Sequence, residues 1–239
     1  MNQPVDLAFH DEIAVVTLNS PPLNIFDVEM RDELIGAVSG VSDVPSIKAM
    51  VLRAEGKHFS AGADLSEFGS AESIFEGRRI RWDRDPWAAL SDLRVPTIAA
   101  LHGTTLGSGL EMALLCDIRL ASPDTLVGLP ETKLGMLPAA GGTQSLTKTI
   151  GTRDATPIVA RANTMTATEA AARSLIHRIE QDVDSAAFAV AGRLALLDPD
   201  LLSAARRALR AAQDLPLDAG IAVENKLMEL LRMHRQPHA

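Results

Sequence analysis

The chain has 239 residues, a formal net charge of −8 and a single cysteine, Cys116. That length suits one large domain, or a core with an appendage, and buries a sizeable core without covalent staples. The acidic balance, an aromatic content of 3% and the absence of Tyr argue against a nucleic-acid partner, which calls for basic grooves and stacking rings. One cysteine allows no intrachain disulfide and suits a reducing compartment. The N-terminal MNQPVDLAFHDE lacks a basic stretch followed by an apolar one, so no secretory leader is expected. The longest weakly charged run, 95–116, contains Pro96, His102, several glycines and Glu111, which is too broken for a membrane span. A cytoplasmic protein without membrane contact is the expectation.

In chain order, IAVVTL (13–18) predicts a strand, ended by Asn-Ser-Pro-Pro. Met30, Leu34, Ile35 and Val38 recur at helical period within 28–41. IKAMVLRA (47–54) reads as a strand, and 71–93 as mostly helical with a break near Pro86. VPTIAALHG (95–103) is strand-like, 109–116 helical and DIRLAS (117–122) strand-like again. This alternation predicts an α/β fold with parallel strands. Thr166, followed three residues later by Glu169, marks a helix start. From 184 to 231 Ala, Leu, Arg and Glu dominate at helical spacing. The expected division is a core over 1–160 and a helical region over 161–239.

Three glycine-bearing segments stand out: HFSAGADL (58–65), GTTLGSGLE (103–111) and GLPETKLGMLPAAGGTQ (128–144). None carries the Lys-Ser/Thr of a phosphate loop. Gly107 and Gly109 lack the third glycine of a dinucleotide fingerprint, because Met112 stands there. Ser108 lacks the flanking glycines of a nucleophile elbow. No His pair or Cys cluster has metal-ligand spacing. The first two segments follow β-rich runs and place small residues where a helix could begin. Helix starts leave backbone N–H groups unpaired, and two such groups aimed at one point form an oxyanion hole. Ala61 and Ser108 are the natural donors, although two ordinary turns would read the same way. Glu111 lies in the otherwise apolar LEMALLC, and a buried carboxylate calls for a partner or a task. A first-turn Glu favoured by the helix dipole is the plainer alternative. Glu131 follows Pro130, which suits a first helical position, and a solvated helix-start Glu is its plain reading. Structural roles are expected for His58 and His102.

Taken together, the segments NSPPLN (19–24), KHFSAGADLSEF (57–68), the block 95–122 and VGLPETKLGMLPAAGGTQSLTKTIG (127–151) resemble the enoyl-CoA hydratase/isomerase (crotonase) superfamily, with TATEAAARSLIHRI (166–179) as a weaker extension. The resemblance implies a spiral of strand-strand-helix turns and a C-terminal helical region that builds trimers or hexamers. It implies an acyl-CoA thioester substrate, with coenzyme A as part of the substrate and no separate cofactor or metal. Ala61 and Ser108 match the oxyanion donors, and Glu111 and Glu131 the two catalytic carboxylates of the hydratase branch. Ala61, Gly62, Ala63, Asp64 and Leu65, with Ser108, match the CoA-binding segment. The expected reaction adds water to a 2-enoyl-CoA, with Glu111 as the water-activating base and Glu131 as the acid at the α-carbon. A Δ3,Δ2-enoyl-CoA isomerase, another crotonase-type reaction, a non-catalytic acyl-CoA binder and a Ser108-dependent hydrolase are the competing readings. Ser108 and Ala139 stand where the family commonly has Gly. Many relatives also continue beyond MELLRMHRQPHA through a further helical stretch that supplies basic CoA contacts.

Overall fold

The structure is a computed structural model that describes residues 3–67 and 85–235, the last two by their backbone alone. The chain opens with a hairpin of β1 (Val5–His10) and β2 (Ile13–Leu18), then α1 (Val28–Asp43) and β3 (Ala49–Ala54). A single 3-10 turn, Leu65–Glu67, follows. Next come α2 (Pro86–Asp92), β4 (Thr97–Leu101), β5 (Thr104–Leu106), α3 (Ser108–Leu115), β6 (Ile118–Ala121) and β7 (Leu126–Gly128). A second 3-10 turn, Glu131–Leu134, leads to α4 (Gly142–Arg161), which is interrupted at Gly151 by a φ of 79°. The last elements are β8 (Thr164–Thr166), α5 (Ala167–Ala172), β9 (Arg178–Ile179), α6 (Val183–Ala195), α7 (Pro199–Asp214) and α8 (Leu217–Arg235). The helical expectation over 71–93 lies outside the described residues up to 84; its remainder forms α2.

Local chemistry sets the helix ends. The Asp27 side chain accepts from Met30 N–H at 2.8 Å, and the Asp85 side chain from Ala88 N–H at 3.0 Å. These are N-caps that satisfy first-turn donors. At α5 the capping box forms as its sequence suggests: Thr166 Oγ1 accepts from Glu169 N–H, and Glu169 Oε2 accepts from Thr166 N–H.

A six-stranded sheet runs β1-β2-β3-β4-β6-β9, and a three-stranded sheet runs β5-β7-β8. From β2 to β9 neighbouring strands of the first sheet are parallel; β1 pairs antiparallel with β2 at its edge. Its middle strands are covered on both faces, which explains their nearly unbroken apolar runs. Met50, Leu52, Ala99 and Leu101 point into the larger core with α1 and α3. Their alternate neighbours Ala49, Val51, Ile98 and Ala100 pack with Val183, Ala187, Val190 and Ala191 of α6. This is the two-residue period of a strand read out on two faces.

The C-terminal hairpin of α7 and α8 is tied to the core by charge. Arg206 Nε donates to both carboxylate oxygens of Asp117, at 2.9 and 2.7 Å, and its Nη1 reaches Leu93 O. Asp117 also accepts from Thr97 N–H and Oγ1. Among the described residues no helix is long and apolar enough to cross a membrane.

Candidate active site

Two backbone amides lie beside the start of α3. Ser60 pairs with β5: its N–H donates to Thr104 O, and its carbonyl accepts from Leu106 N–H. The N–H and C=O of one trans peptide point in opposite directions. The Ala61 N–H therefore points away from β5, and it donates to Leu23 O at 2.9 Å. Regular alternation would send the Ala63 N–H the same way. Gly62 prevents this with a φ of 112°, a conformation that glycine adopts freely. As a result the Gly62 carbonyl accepts from Phe26 N–H at 2.9 Å, and the Ala63 N–H at the other end of that peptide points toward α3. Among the described residues the Ala63 N–H donates to nothing.

A Cβ at Gly62 would lie 3.3 Å from Leu106 O and 3.8 Å from Ser108 N, so the start of α3 borders this peptide. Gly107 is the N-cap of α3, with a φ of 53° and no side-chain cap. The Ser108 N–H is a first-turn donor without an intrahelical acceptor. Trp87 Nε1 approaches Ser108 O at 3.4 Å, and its ring packs on Phe26 with centroids 5.5 Å apart.

Glu111 lies one turn into α3 and is 2% exposed. Its Oε1 accepts from Ala140 N–H at 2.9 Å and from Gly142 N–H at 2.8 Å. These donors come from the turn that opens α4, where Gly141 takes a φ of 98°. Together they fix the orientation of the carboxylate. Glu131 reaches the same region from the second 3-10 turn. A Cβ at Gly107 would stand 2.9 Å from its Oε1, and its Oε2 is buried without a hydrogen-bond partner among the described residues. Burial pushes the Glu131 carboxyl up to about 7, with the Glu111 charge adding to the rise and a backbone hydrogen bond opposing it. The pair thus holds one carboxylate fixed by amides beside one carboxyl with a proton to give near neutral pH.

The structure brings Glu111, Glu131, Ser108, Gly62 and Ala63 together and corrects the expectation for Ala61, whose N–H is bonded to Leu23 inside the fold. Asp64 turns back on itself, accepting from Ser66 N–H at 2.8 Å, while Leu65 is exposed. Pro130 caps the turn rather than opening an α-helix. Ala140 and Gly142 are the residues that the sequence reading passes over; the paired glycines of PAAGG are the signal that could have revealed them. His58 and His102 have structural bonds: His58 Nδ1 accepts from Thr104 N–H at 3.1 Å, and His102 Nε2 lies 3.2 Å from Gly56 O. Among the described residues no histidine hydrogen-bonds to Ser108, and no group of three His, Cys, Asp or Glu could hold a metal ion.

Two backbone amides without acceptors among the described residues, beside two carboxyl groups, suit chemistry on a carbonyl compound that passes through an enolate. The family model for enoyl-CoA hydratase/isomerase matches residues 8–236, and the chain belongs to that family. It is 33% identical to the 2,3-dehydroadipyl-CoA hydratase of Escherichia coli over 229 residues, 95% of this chain and 89% of the relative. It is 30% identical to the short-chain-enoyl-CoA hydratase of Clostridium acetobutylicum over 220 residues, 90% of this chain and 84% of the relative. The crystal structure of enoyl-CoA hydratase from Thermoplasma volcanium superposes with a TM-score of 0.90 at 26% identity, covering 98% of this chain and 94% of the other. A chain from Thermobifida fusca solved in complex with CoA gives a TM-score of 0.87 at 26% identity, over 97% and 93%.

Proposed function

We propose that this chain is an enoyl-CoA hydratase, adding water across the 2,3 double bond of a 2-enoyl-CoA thioester to give a 3-hydroxyacyl-CoA. The observation that carries the reading is the pairing of Glu111, held by two amides, with Glu131, whose carboxyl is raised to about 7. In this reading the thioester oxygen sits between the Ala63 and Ser108 N–H groups. Ala63 takes the donor role first expected of Ala61. Glu111 removes a proton from water as the water oxygen bonds to C3. The electron pair of the double bond moves toward the thioester oxygen as an enolate, and the two amides stabilise that charge. Glu131 gives its proton to C2; exchange with solvent then takes the proton from Glu111 and returns one to Glu131, which restores the starting state. No step calls for a metal or a separate cofactor; coenzyme A enters and leaves as part of the substrate. The 61–65 segment borders the thioester and is the proposed path of the CoA chain.

The apolar residues left exposed on α7 and α8, among them Leu209, Leu217, Ile221 and Met233, support a homotrimer or a hexamer of paired trimers. Light scattering of the purified protein tests this. A cytoplasmic location is part of the same proposal.

The test of the reaction follows the loss of conjugated-thioester absorbance with crotonyl-CoA. Wild type should consume it, and Glu111→Gln should be slower by about 10²–10⁴-fold. Failure of wild type with crotonyl-CoA and with longer 2-enoyl thioesters would refute hydration. Conversion of 3-enoyl thioesters alone would assign an isomerase instead.

A further inference from the structure

A partly buried ion pair borders the Phe26–Ala63 bridge. Arg31 is 8% exposed, and its Nη2 meets Glu67 Oε2 at 2.7 Å. Arg31 Nη1 donates to Phe26 O at 3.0 Å, and Glu67 Oε1 accepts from Val28 N–H at 2.8 Å. Phe26 is itself fully buried and forms a parallel bridge with Ala63. Its N–H holds the Gly62 carbonyl, and its carbonyl also accepts from Asp64 N–H at 3.4 Å. Both polar groups of Phe26 thus grip residues on either side of Ala63, and Arg31 grips Phe26. Glu67 closes the ring from the other side, because its own N–H donates to Asp64 O at 3.3 Å.

We propose that Arg31 and Glu67 are positioning residues: they fix the Phe26–Ala63 bridge and so set the direction in which the Ala63 N–H faces the substrate carbonyl. The proposal rests on the reading of Ala63 as an oxyanion donor. Its physical basis is the steep dependence of transition-state stabilisation on donor placement, since displacements near 1 Å cost about 10²-fold. Phe26 has no charged neighbour to hold its carbonyl other than Arg31 among the described hydrogen bonds. A neutral residue at 31 would remove both the donor that holds the Phe26 carbonyl and the ion pair that ties the 64–67 turn to α1.

The experiment uses the full chain and a 4-dialkylaminocinnamoyl thioester of coenzyme A, whose absorbance moves to longer wavelength as its carbonyl is polarised. Wild type should bind it with a clear shift. Glu67→Gln and Arg31→Met should still bind it, lose most of the shift, and lower kcat for crotonyl-CoA by about 10- to 100-fold with little change in KM. Arg31→Lys keeps the charge but offers one point donor instead of a fork, and should restore part of both. Val28→Pro removes only the N–H that Glu67 accepts. It does so at the first helical position, where proline is tolerated, after an Asp27 already extended at φ −86° and ψ −175°. It should reduce the shift less than Glu67→Gln does, and it decides the matter if the charge variants do not fold. A full shift and unchanged kcat in the folded variants overturn the clamp alone. Binding of the probe to wild type without any shift overturns the donor reading and the clamp with it.

Discussion

The tightest steric constraint on the proposed base is the absence of a side chain at Gly142. A methyl group there would stand 2.7 Å from Glu111 Oε1, 2.9 Å from Glu111 Cγ and 2.8 Å from Pro138 Cβ. Ordinary contact starts at 3.4 Å, so in Gly142→Ala the carboxylate oxygen retreats by roughly 0.7 Å, the gap between those two distances. The Gly142 N–H bond, 2.8 Å in the native chain, then stretches past the useful range of hydrogen bonds. Misplacing a catalytic group by near 1 Å costs about 10²-fold in rate. The fold should suffer less. Gly142 opens α4 outside the left-handed region, where alanine is the better helix former by up to about 1 kcal/mol, against an overpacking cost of about 1–3 kcal/mol. The melting temperature should therefore drop by no more than about 12 °C. Steady-state hydration of crotonyl-CoA and a thermal melt measure both quantities. A Gly142→Ala enzyme within about twofold of wild-type kcat, with its melt lowered as expected, would refute the claim that the two amides hold Glu111 for catalysis.

Three further outcomes are expected. If Glu131 delivers its proton to C2, kcat/KM declines by about tenfold per pH unit once pH rises past the Glu131 value near 7; a profile rising through that window in stopped-flow assays would reverse the acid and base assignments. The same shift bears on stability. Between its ordinary value of 4.5 and about 7 the folded chain keeps a proton that the unfolded chain releases, so stability falls as pH rises through that window. Urea titrations of wild type should show this slope, and those of Glu131→Gln should not. Ser108→Pro deletes the proposed donor at a helix position that tolerates proline and should lower kcat by about 10²–10³-fold, whereas Ser108→Ala keeps the N–H and should stay close to wild type. Arg206→Ala removes the Nε donor that bridges both oxygens of the half-buried Asp117 and should cost about 3 kcal/mol in chemical denaturation, the lower end of the range for a broken buried pair.

The sequence exposes the elements whose apolar residues carry a clear period, such as 13–18, 28–41 and the run around Glu111. It hides β1, whose edge position leaves most of its residues exposed or half-buried, and the three-residue strands β5 and β7, too short to display a period. Glu111 is legible because a lone charge in an apolar helix has to be explained. The choice between Ala61 and Ala63 is not, because it turns on the direction of one peptide, and that direction follows from Gly62 and from a bond to Phe26, 36 positions earlier in the sequence. The donors to Glu111 from Ala140 and Gly142 are equally remote. Residue type announces which groups carry charge, whereas backbone direction depends on long-range pairing that spacing does not encode.

The order in which the chain leaves the ribosome gives the sheet topology a further meaning. Ala63, Ser108, Glu111 and Glu131 are all synthesised before residue 132, yet the strand that completes the small sheet, β8, starts at Thr164, and the last strand of the large sheet, β9, ends at Ile179. A nascent chain that already holds all four residues thus still has β6 and β7 with open edges, which are surfaces prone to wrong pairing. A stop at residue 160 would leave both edges uncovered. The residues after it, α5 among them, act in biogenesis as the closing piece of the sheets as well as the start of a helical tail.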